Sequence, residues 1–241
     1  MKRILISLAI LMSAFAMQAK TLVVYYSYTN NVHSIVAELT KQIDADVVRI
    51  QPAEKGLDYE ANNYAIGSAQ IAAIRNNPTD PNSYPAIDPV DVNLDEYDCV
   101  IIGAPLWWSN MASPLQTYLF QNGGKMAGKK IGLIVSSASS GISGVESDAK
   151  RLIPNGDFFT PSLWIRSAQT RNAASLIQQW LKDIDYASVA GISGAKAESG
   201  VVNVYDLMGN LVYSGTQELI DVTASGTYLV KTNAVTKKVR I

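Results

Sequence analysis

The sequence predicts an α/β fold, a three-layer sandwich with a parallel sheet between two layers of helices, and three observations predict it. Four apolar runs, Leu22–Tyr26, Val47–Ile50, Cys99–Ile102 and Ile131–Val135, are near-continuous rather than alternating, the pattern of strands covered on both faces. Segments of helical spacing lie between them, so strands and helices alternate and right-handed crossovers follow. After Ile184 the composition changes, which marks off a second, smaller module.

The elements follow in order. After the first strand, Val32–Ile43 has helical spacing, and Val47–Ile50 is the second strand. Tyr64–Ile74 is a second helix. Asn76 to Asp98 carries prolines at 78, 81, 85 and 89 and reads as a connection. Its acids, Asp80, Asp88, Asp91, Asp95, Glu96 and Asp98, have no basic residue among them and suit a docking patch for a redox partner. The run enters the third strand at its N-terminal end, however, whereas ligands of open α/β sheets bind beyond the carboxyl ends, so a solvated edge is the preferred reading. Cys99–Ile102 is the third strand, a helix lies around Leu115–Leu119, and Ile131–Val135 is the fourth strand. Val145–Leu152 is helical, Phe158–Ile165 is a less regular fifth strand, and Ala173–Ile184 is the closing helix. Within it Ile177, Trp180, Leu181 and Ile184 follow the i, i+3, i+4, i+7 pattern of a helix laid on a core.

The chain of 241 residues is 48% hydrophobic and 17% charged, enough for one sizeable core plus a small module. A net charge of −1 gives no basic excess for nucleic acid or an anionic membrane. The single cysteine, Cys99, excludes an intramolecular disulfide and reads as a small core residue. At the start, Lys2-Arg3, the apolar stretch Ile4 to Phe15, and a cleavage site at Ala14-Phe15-Ala16 or Met17-Gln18-Ala19 make a leader. Residues 1–19 are expected to be removed on export, leaving no stable membrane insertion, because the apolar stretch is shorter than the roughly 20 residues of a span. The domain then runs over 20–186, a linker rich in Ala, Gly and Ser over 187–200, and a small all-β module over 201–241. The module's strands are expected at Val201–Leu207, Leu211–Ser214, Glu218–Val222, Thr227–Thr232 and Lys237–Ile241, with Gly209-Asn210 and Gly226 as turn punctuation.

Chemistry concentrates in two strand-to-helix loops. Ser27-Tyr28-Thr29-Asn30-Asn31 opens the first helix, and a turn rich in hydroxyls and amides at a helix N-terminus is an anion site. Capping draws on the same residue types, so Ser27 and Thr29 also fit as plain cap residues. Gly103-Ala104-Pro105-Leu106-Trp107-Trp108 follows the third strand and offers an exposed aromatic pair on which a flat ring can stack. In an extended segment the two indoles point to opposite sides, so one stacks and the other packs, and the sequence does not choose between them. His33, the lone histidine, stands on the first turn of the first helix, either beside the anion or in solvent.

These residues resemble the flavodoxins, in particular short flavodoxin-like proteins with a Tyr-Ser-x-[Ser/Thr]-Gly-Asn-Thr first loop and a Pro-x-Trp-Trp second loop. Tyr26 to Val32 is similar to the first, and Glu96-Tyr97-Asp98 leading to Gly103 through Trp108 is similar to the second. Ser136 to Ile142 is similar to the family's Thr-Ser-Gly-Ser-Ser-Gly-Ile segment, and Trp180-Leu181 to its closing helix. The resemblance implies a five-stranded parallel sheet of order 2-1-3-4-5 and non-covalent FMN at the switch point, flavodoxin being itself a standard example of that topological rule. It implies cofactor contacts from Ser27, Tyr28, Thr29, Asn30, Asn31 and Val32 around the phosphate. It further implies contacts from Pro105, Leu106, Trp107, Trp108, Ser109 and Asn110 beside the isoalloxazine, and from Ser137, Ala138, Ser139, Ser140 and Gly141 at its pyrimidine end.

Four departures bear on affinity. Asn30 replaces the family's glycine, tolerable because Asn reaches positive φ more readily than most residues. Val32 replaces a threonine and removes one hydroxyl, a loss of about 1.5–3 kcal/mol for a bond to a charged group. Ser109 and Ala138 replace glycines near the ring. FMN binding is expected to be weaker than in a typical relative. The tail, from Val202 to Val212, then Ser225 to Lys231, then Lys238 to Ile241, is similar to the C-terminal sorting domains of type IX secretion, which implies export to the periplasm, the cell surface or beyond.

Electron transfer or reduction of a small acceptor such as a quinone is therefore the expected function, with no catalytic side chain of the protein's own and an unassigned redox partner. A flavodoxin-fold scaffold without flavin is the rival, and fold alone does not decide between them. A serine hydrolase is excluded by the lack of a Gly-x-Ser-x-Gly elbow, and zinc catalysis by the presence of one histidine and one cysteine.

Overall fold

In the computed structural model the described residues are 19–189, 202–206, 208–215, 227–231 and 236–240. They fall into two compact units, one in the segment Gln18–Ala190 and one in the C-terminal part. The expected leader up to residue 18, most of the expected linker, and the strand Glu218–Val222 lie outside the described residues.

The first unit opens with β1 (Thr21–Tyr25), α1 (Asn31–Leu39), β2 (Asp46–Arg49), α2 (Ala61–Asn76), β3 (Cys99–Trp107), β4 (Asn110–Met111) and α3 (Ser113–Asn122). It continues with β5 (Lys130–Ser137), α4 (Ser143–Leu152), β6 (Asp157–Phe158), β7 (Leu163–Arg166), α5 (Ala173–Asp183) and α6 (Tyr186–Val189). The sheet order is β2-β1-β3-β5, and both β6 and β7 pair in parallel with β5 at the fifth position. This is the 2-1-3-4-5 order, with the last strand broken in two. Pro161 stands in the gap and has no N–H to give to a ladder.

Burial alternates along the strands as three layers require. Leu22, Val24, Val100, Ile102, Leu133 and Val135 join α3 and α4 on one face, where Leu115, Leu119, Val145, Ala149 and Leu152 meet them. Val23, Tyr25, Ile101 and Ile134 face α1 and α5 on the other, with Ile35, Leu39, Ile177 and Trp180. Fully burying one such aliphatic side chain is worth about 1.5–3 kcal/mol.

Three expectations need correction. The second strand is not covered on both faces: β2 is an edge, and Val47 is 45% exposed. The second loop is mostly strand, because β3 continues through Gly103, Ala104, Pro105, Leu106 and Trp107. The chain then turns at Trp108-Ser109 and returns as β4, antiparallel to β3, with Trp107 opposite Asn110. The cause lies in β5, which is long enough to pair with β3 as far as Pro105 opposite Ser136. Finally, helical structure continues through α6 into the stretch read as linker.

The C-terminal unit is a four-stranded antiparallel sheet, order β11-β10-β8-β9, built from β8 (Val202–Tyr205), β9 (Leu211–Gly215), β10 (Thr227–Lys231) and β11 (Thr236–Arg240). The β8–β9 turn is set by Asp206, whose carboxylate accepts from the N–H groups of Met208 and Asn210, and by Gly209 at φ +88°.

Candidate functional site

The carboxyl ends of β1, β3 and β5 bring the three expected segments to one edge of the sheet, and two of them share a cavity. This cavity, of about 370 Å³, is lined by Tyr28 and Thr29 from the first loop, by Leu106, Trp107 and Trp108 from the β3–β4 hairpin, by Tyr59 and Glu60 just before α2, and by Tyr64 and Gly67 of α2.

The first loop is shaped at its N-cap. Asn30 is left-handed at φ +63°, the conformation its replacement of glycine called for. The Ser27 hydroxyl accepts the His33 N–H at 3.2 Å, so Ser27 caps α1 while its own proton stays free to donate outward. The first N–H groups of a helix have no partner inside it, and those of Asn31 and Val32 remain for an external acceptor. The side chain of Asn31 donates to the Thr29 hydroxyl at 3.2 Å. Val32 is only 1% exposed, and its side chain packs into the α1 core against Gly103 rather than toward the loop. His33 turns from the loop as well, its Nδ1 bonding the Tyr25 hydroxyl at 2.7 Å and its ring stacked on Tyr25.

The hairpin divides the work of the two tryptophans. Trp107 is partly buried, edge-on to Tyr26 at 5.6 Å and tilted against Tyr59 at 4.8 Å. Trp108 is 41% exposed and rests on Gly67, whose absent Cβ would sit 3.0 Å from the indole. Packing thus falls to Trp107 and the free face to Trp108. Trp108 and Ser109 both have positive φ, +46° and +64°, as a two-residue type I′ hairpin requires. The Ser109 carbonyl lies against Gly144, where a Cβ would stand 1.8 Å away. Asn110 is occupied structurally, donating to the Asp148 carboxylate at 2.9 Å.

The third segment stands apart from the cavity lining. Ala138, Ser139, Ser140 and Gly141 are exposed, and the Ser137 hydroxyl is already engaged, donating to the Ser140 carbonyl and accepting from Trp164 Nε1 at 2.8 Å each. Among the described residues two buried hydroxyls have no hydrogen-bond partner, Ser136 Oγ beside the end of β3 and Tyr59 Oη in a cavity-lining residue. Burying a hydroxyl without a partner costs about 1–3 kcal/mol.

Sequence reasoning missed Tyr59, Gly67, Arg49 and Asp148. Tyr59 lies in a connection with no periodicity to mark it, while Arg49 and Gly67 lie in a strand and a helix that were expected, at positions whose residue type signals no ligand. Asp148 did leave a signal, because it occupies the apolar stripe of α4 formed by Val145, Ala149 and Leu152, and an acid at a stripe position is there to bond something. Cys99 is buried in β3, and burial pushes its thiol up to about 12, which suits an inert core residue. No group of metal-ligating side chains occurs among the described residues, nor any helix long and apolar enough to cross a membrane.

The flavodoxin family model matches residues 20–184. The chain belongs to the flavodoxin family. As a flavodoxin it is similar to several solved structures. A chain assigned as a flavoprotein from Bacteroides eggerthii is 26% identical over 69% of this chain and 98% of its own, with a TM-score of 0.55. A second, from Bacteroides uniformis, is 26% identical over 66% and 98%, with a TM-score of 0.53. A flavoprotein from Lactobacillus acidophilus, solved in complex with FMN, is 21% identical over 65% and 99%, at a TM-score of 0.51, and speaks for the fold.

Proposed function

We propose that this flavodoxin binds FMN non-covalently, with its phosphate at the Ser27–Val32 loop and its isoalloxazine against Trp107 and Trp108, and that it carries electrons or reduces a small acceptor such as a quinone. The observation that carries this reading is the shared cavity, which joins Thr29 of an anion-type loop to an aromatic wall. Bound FMN supplies the electron-accepting and electron-donating chemistry. The protein's part is to hold and tune. Ser27 and Thr29 offer hydroxyls, the N-terminus of α1 offers N–H groups and the positive end of its dipole, and Trp108 offers an indole face. Pro105, Leu106, Ser109 and Asn110 set the position of that face, and Ser137 to Gly141, which follow β5 at the same end of the sheet, would border the pyrimidine end of the ring.

Titration of the purified protein with FMN tests the reading. A saturable one-to-one quenching of flavin fluorescence, weakened by Trp108→Ala, is the expected result; folded protein that gives a flat trace overturns it. The flavin-free scaffold draws on two observations, the core-facing Val32 and the engaged Ser137 hydroxyl, and a flat trace would favour it.

Export belongs to the same proposal, and its support is in the sequence: the leader-like residues 1–19 and the sorting-type tail after Val201. N-terminal sequencing of protein from a cell-envelope or culture-medium fraction checks it; an intact Met1 in cytoplasm would refute it.

A further inference from the structure

We propose that Arg49 is the cation that fixes the cofactor phosphate in this protein, the positive partner that the first loop's own residues do not include. The proposal rests on the reading of Ser27–Val32 as a phosphate loop, and the test below separates the two.

Arg49 ends β2 and pairs with Tyr25 across the ladder, at the same carboxyl edge from which the loop departs. Its guanidinium lies over the Tyr25 ring at 5.9 Å. One nitrogen, Nη2, donates to the Ser27 carbonyl at 2.9 Å and to Asn30 Oδ1 at 3.3 Å, so the group is tied to both ends of the turn. Among the described residues no carboxylate lies within ion-pair distance of it, and α1 has no acid in its first turn. Nε is buried with no hydrogen-bond partner. A guanidinium partly withdrawn from water, bonded only to neutral oxygens and with an inner N–H unspent, is half of an ion pair.

The absent half is an anion at the loop, where the N–H groups of Asn31 and Val32 and the dipole of α1 already favour negative charge. A phosphate monoester suits the guanidinium, whose planar fork matches phosphate oxygens. The same contact accounts for the loop's departure at Val32: the valine serves the core, and a charged donor from the neighbouring strand replaces the hydroxyl.

The experiment compares FMN with riboflavin, which has the same ring and no phosphate, in wild type, Arg49→Gln and Arg49→Lys, by flavin fluorescence, with circular dichroism to confirm folding. In Arg49→Gln, FMN affinity is expected to fall about ten- to hundredfold while riboflavin affinity stays unchanged. Arg49→Lys, which keeps the charge without the fork, should fall between. Unchanged FMN affinity, or a parallel loss for both flavins, would overturn the role of Arg49 and leave the cofactor assignment standing. Wild type that binds neither flavin would overturn both. Should Arg49→Gln not fold, Arg49→Lys carries the same FMN-to-riboflavin comparison.

Discussion

The Asp148 carboxylate accepts the backbone N–H of Met111 at 2.9 Å, so a residue of α4 holds the returning strand of the tryptophan hairpin. The same side chain, only 6% exposed, takes Asn110 Nδ2 at 2.9 Å and pairs with Arg151 at 3.0 Å, and Arg151 in turn donates to Gln116 Oε1. One buried carboxylate therefore joins α3, α4 and the hairpin.

Asp148→Ala should destabilise the fold by about 2–4 kcal/mol, since it leaves the buried Met111 N–H without its acceptor and the half-buried Arg151 guanidinium without its carboxylate. Asp148→Asn, which keeps one acceptor oxygen, should cost less. Urea unfolding measures both, and FMN affinity should fall alongside stability because the hairpin loosens.

The two tryptophans should separate in a double measurement. Trp107 packs on Tyr26 and Tyr59, so Trp107→Ala is expected to cost about 2–4 kcal/mol of stability. Trp108 has a free face, so Trp108→Ala should cost less than about 1 kcal/mol yet weaken flavin binding. Equal stability losses would show that both rings are packing residues.

Ser109→Gly should stabilise the protein by about 0.5–1 kcal/mol, because glycine takes φ +64° without the steric penalty that serine bears there. Gly144→Ala should act in the opposite direction, its methyl colliding with the Ser109 carbonyl. Thermal midpoints of the two variants decide the point.

Alkali should weaken the fold, and Cys99 sets the onset. Burial pushes its thiol to about 12, whereas the unfolded thiol titrates near about 8.5. As pH rises the unfolded chain releases the proton first, so stability is full below the unfolded value and declines from there toward the folded one. Buried Tyr26 and Tyr118, both raised by burial, add the same sign at higher pH. Urea midpoints should therefore fall between about pH 8 and about pH 10.5, less steeply in Cys99→Ala. Native protein should resist iodoacetamide near about pH 8, and unfolded protein should react.

The sheet was legible because its central strands are covered twice and so carry unbroken apolar runs. The edge was not: Val47 and Val48 look like core in sequence, and only the absence of a neighbour beyond β2 exposes Val47. Asn30 announced its left-handed backbone, since few other residues replace glycine there. Gly103 to Trp107 read as loop because Gly103, Pro105 and the Trp107-Trp108 pair mask a strand whose length is dictated by β5. Arg49 and Tyr59 were silent for a different reason. Each acts through a partner distant in the chain, or through an atom with none, and neither leaves a period in the sequence.

The cavity's two walls are built with different stiffness. On one side Trp107 and Trp108 are clamped through Asp148 and the bare backbone of Gly144. On the other, α2 enters through Asn62, Asn63 and Tyr64, three successive left-handed residues; asparagine reaches that conformation readily, whereas Tyr64 bears a cost of about 1–2 kcal/mol there. The two walls also meet, because Trp108 rests on Gly67 and lies edge-on to Tyr64, so the fixed hairpin sets where the entry of α2 can sit.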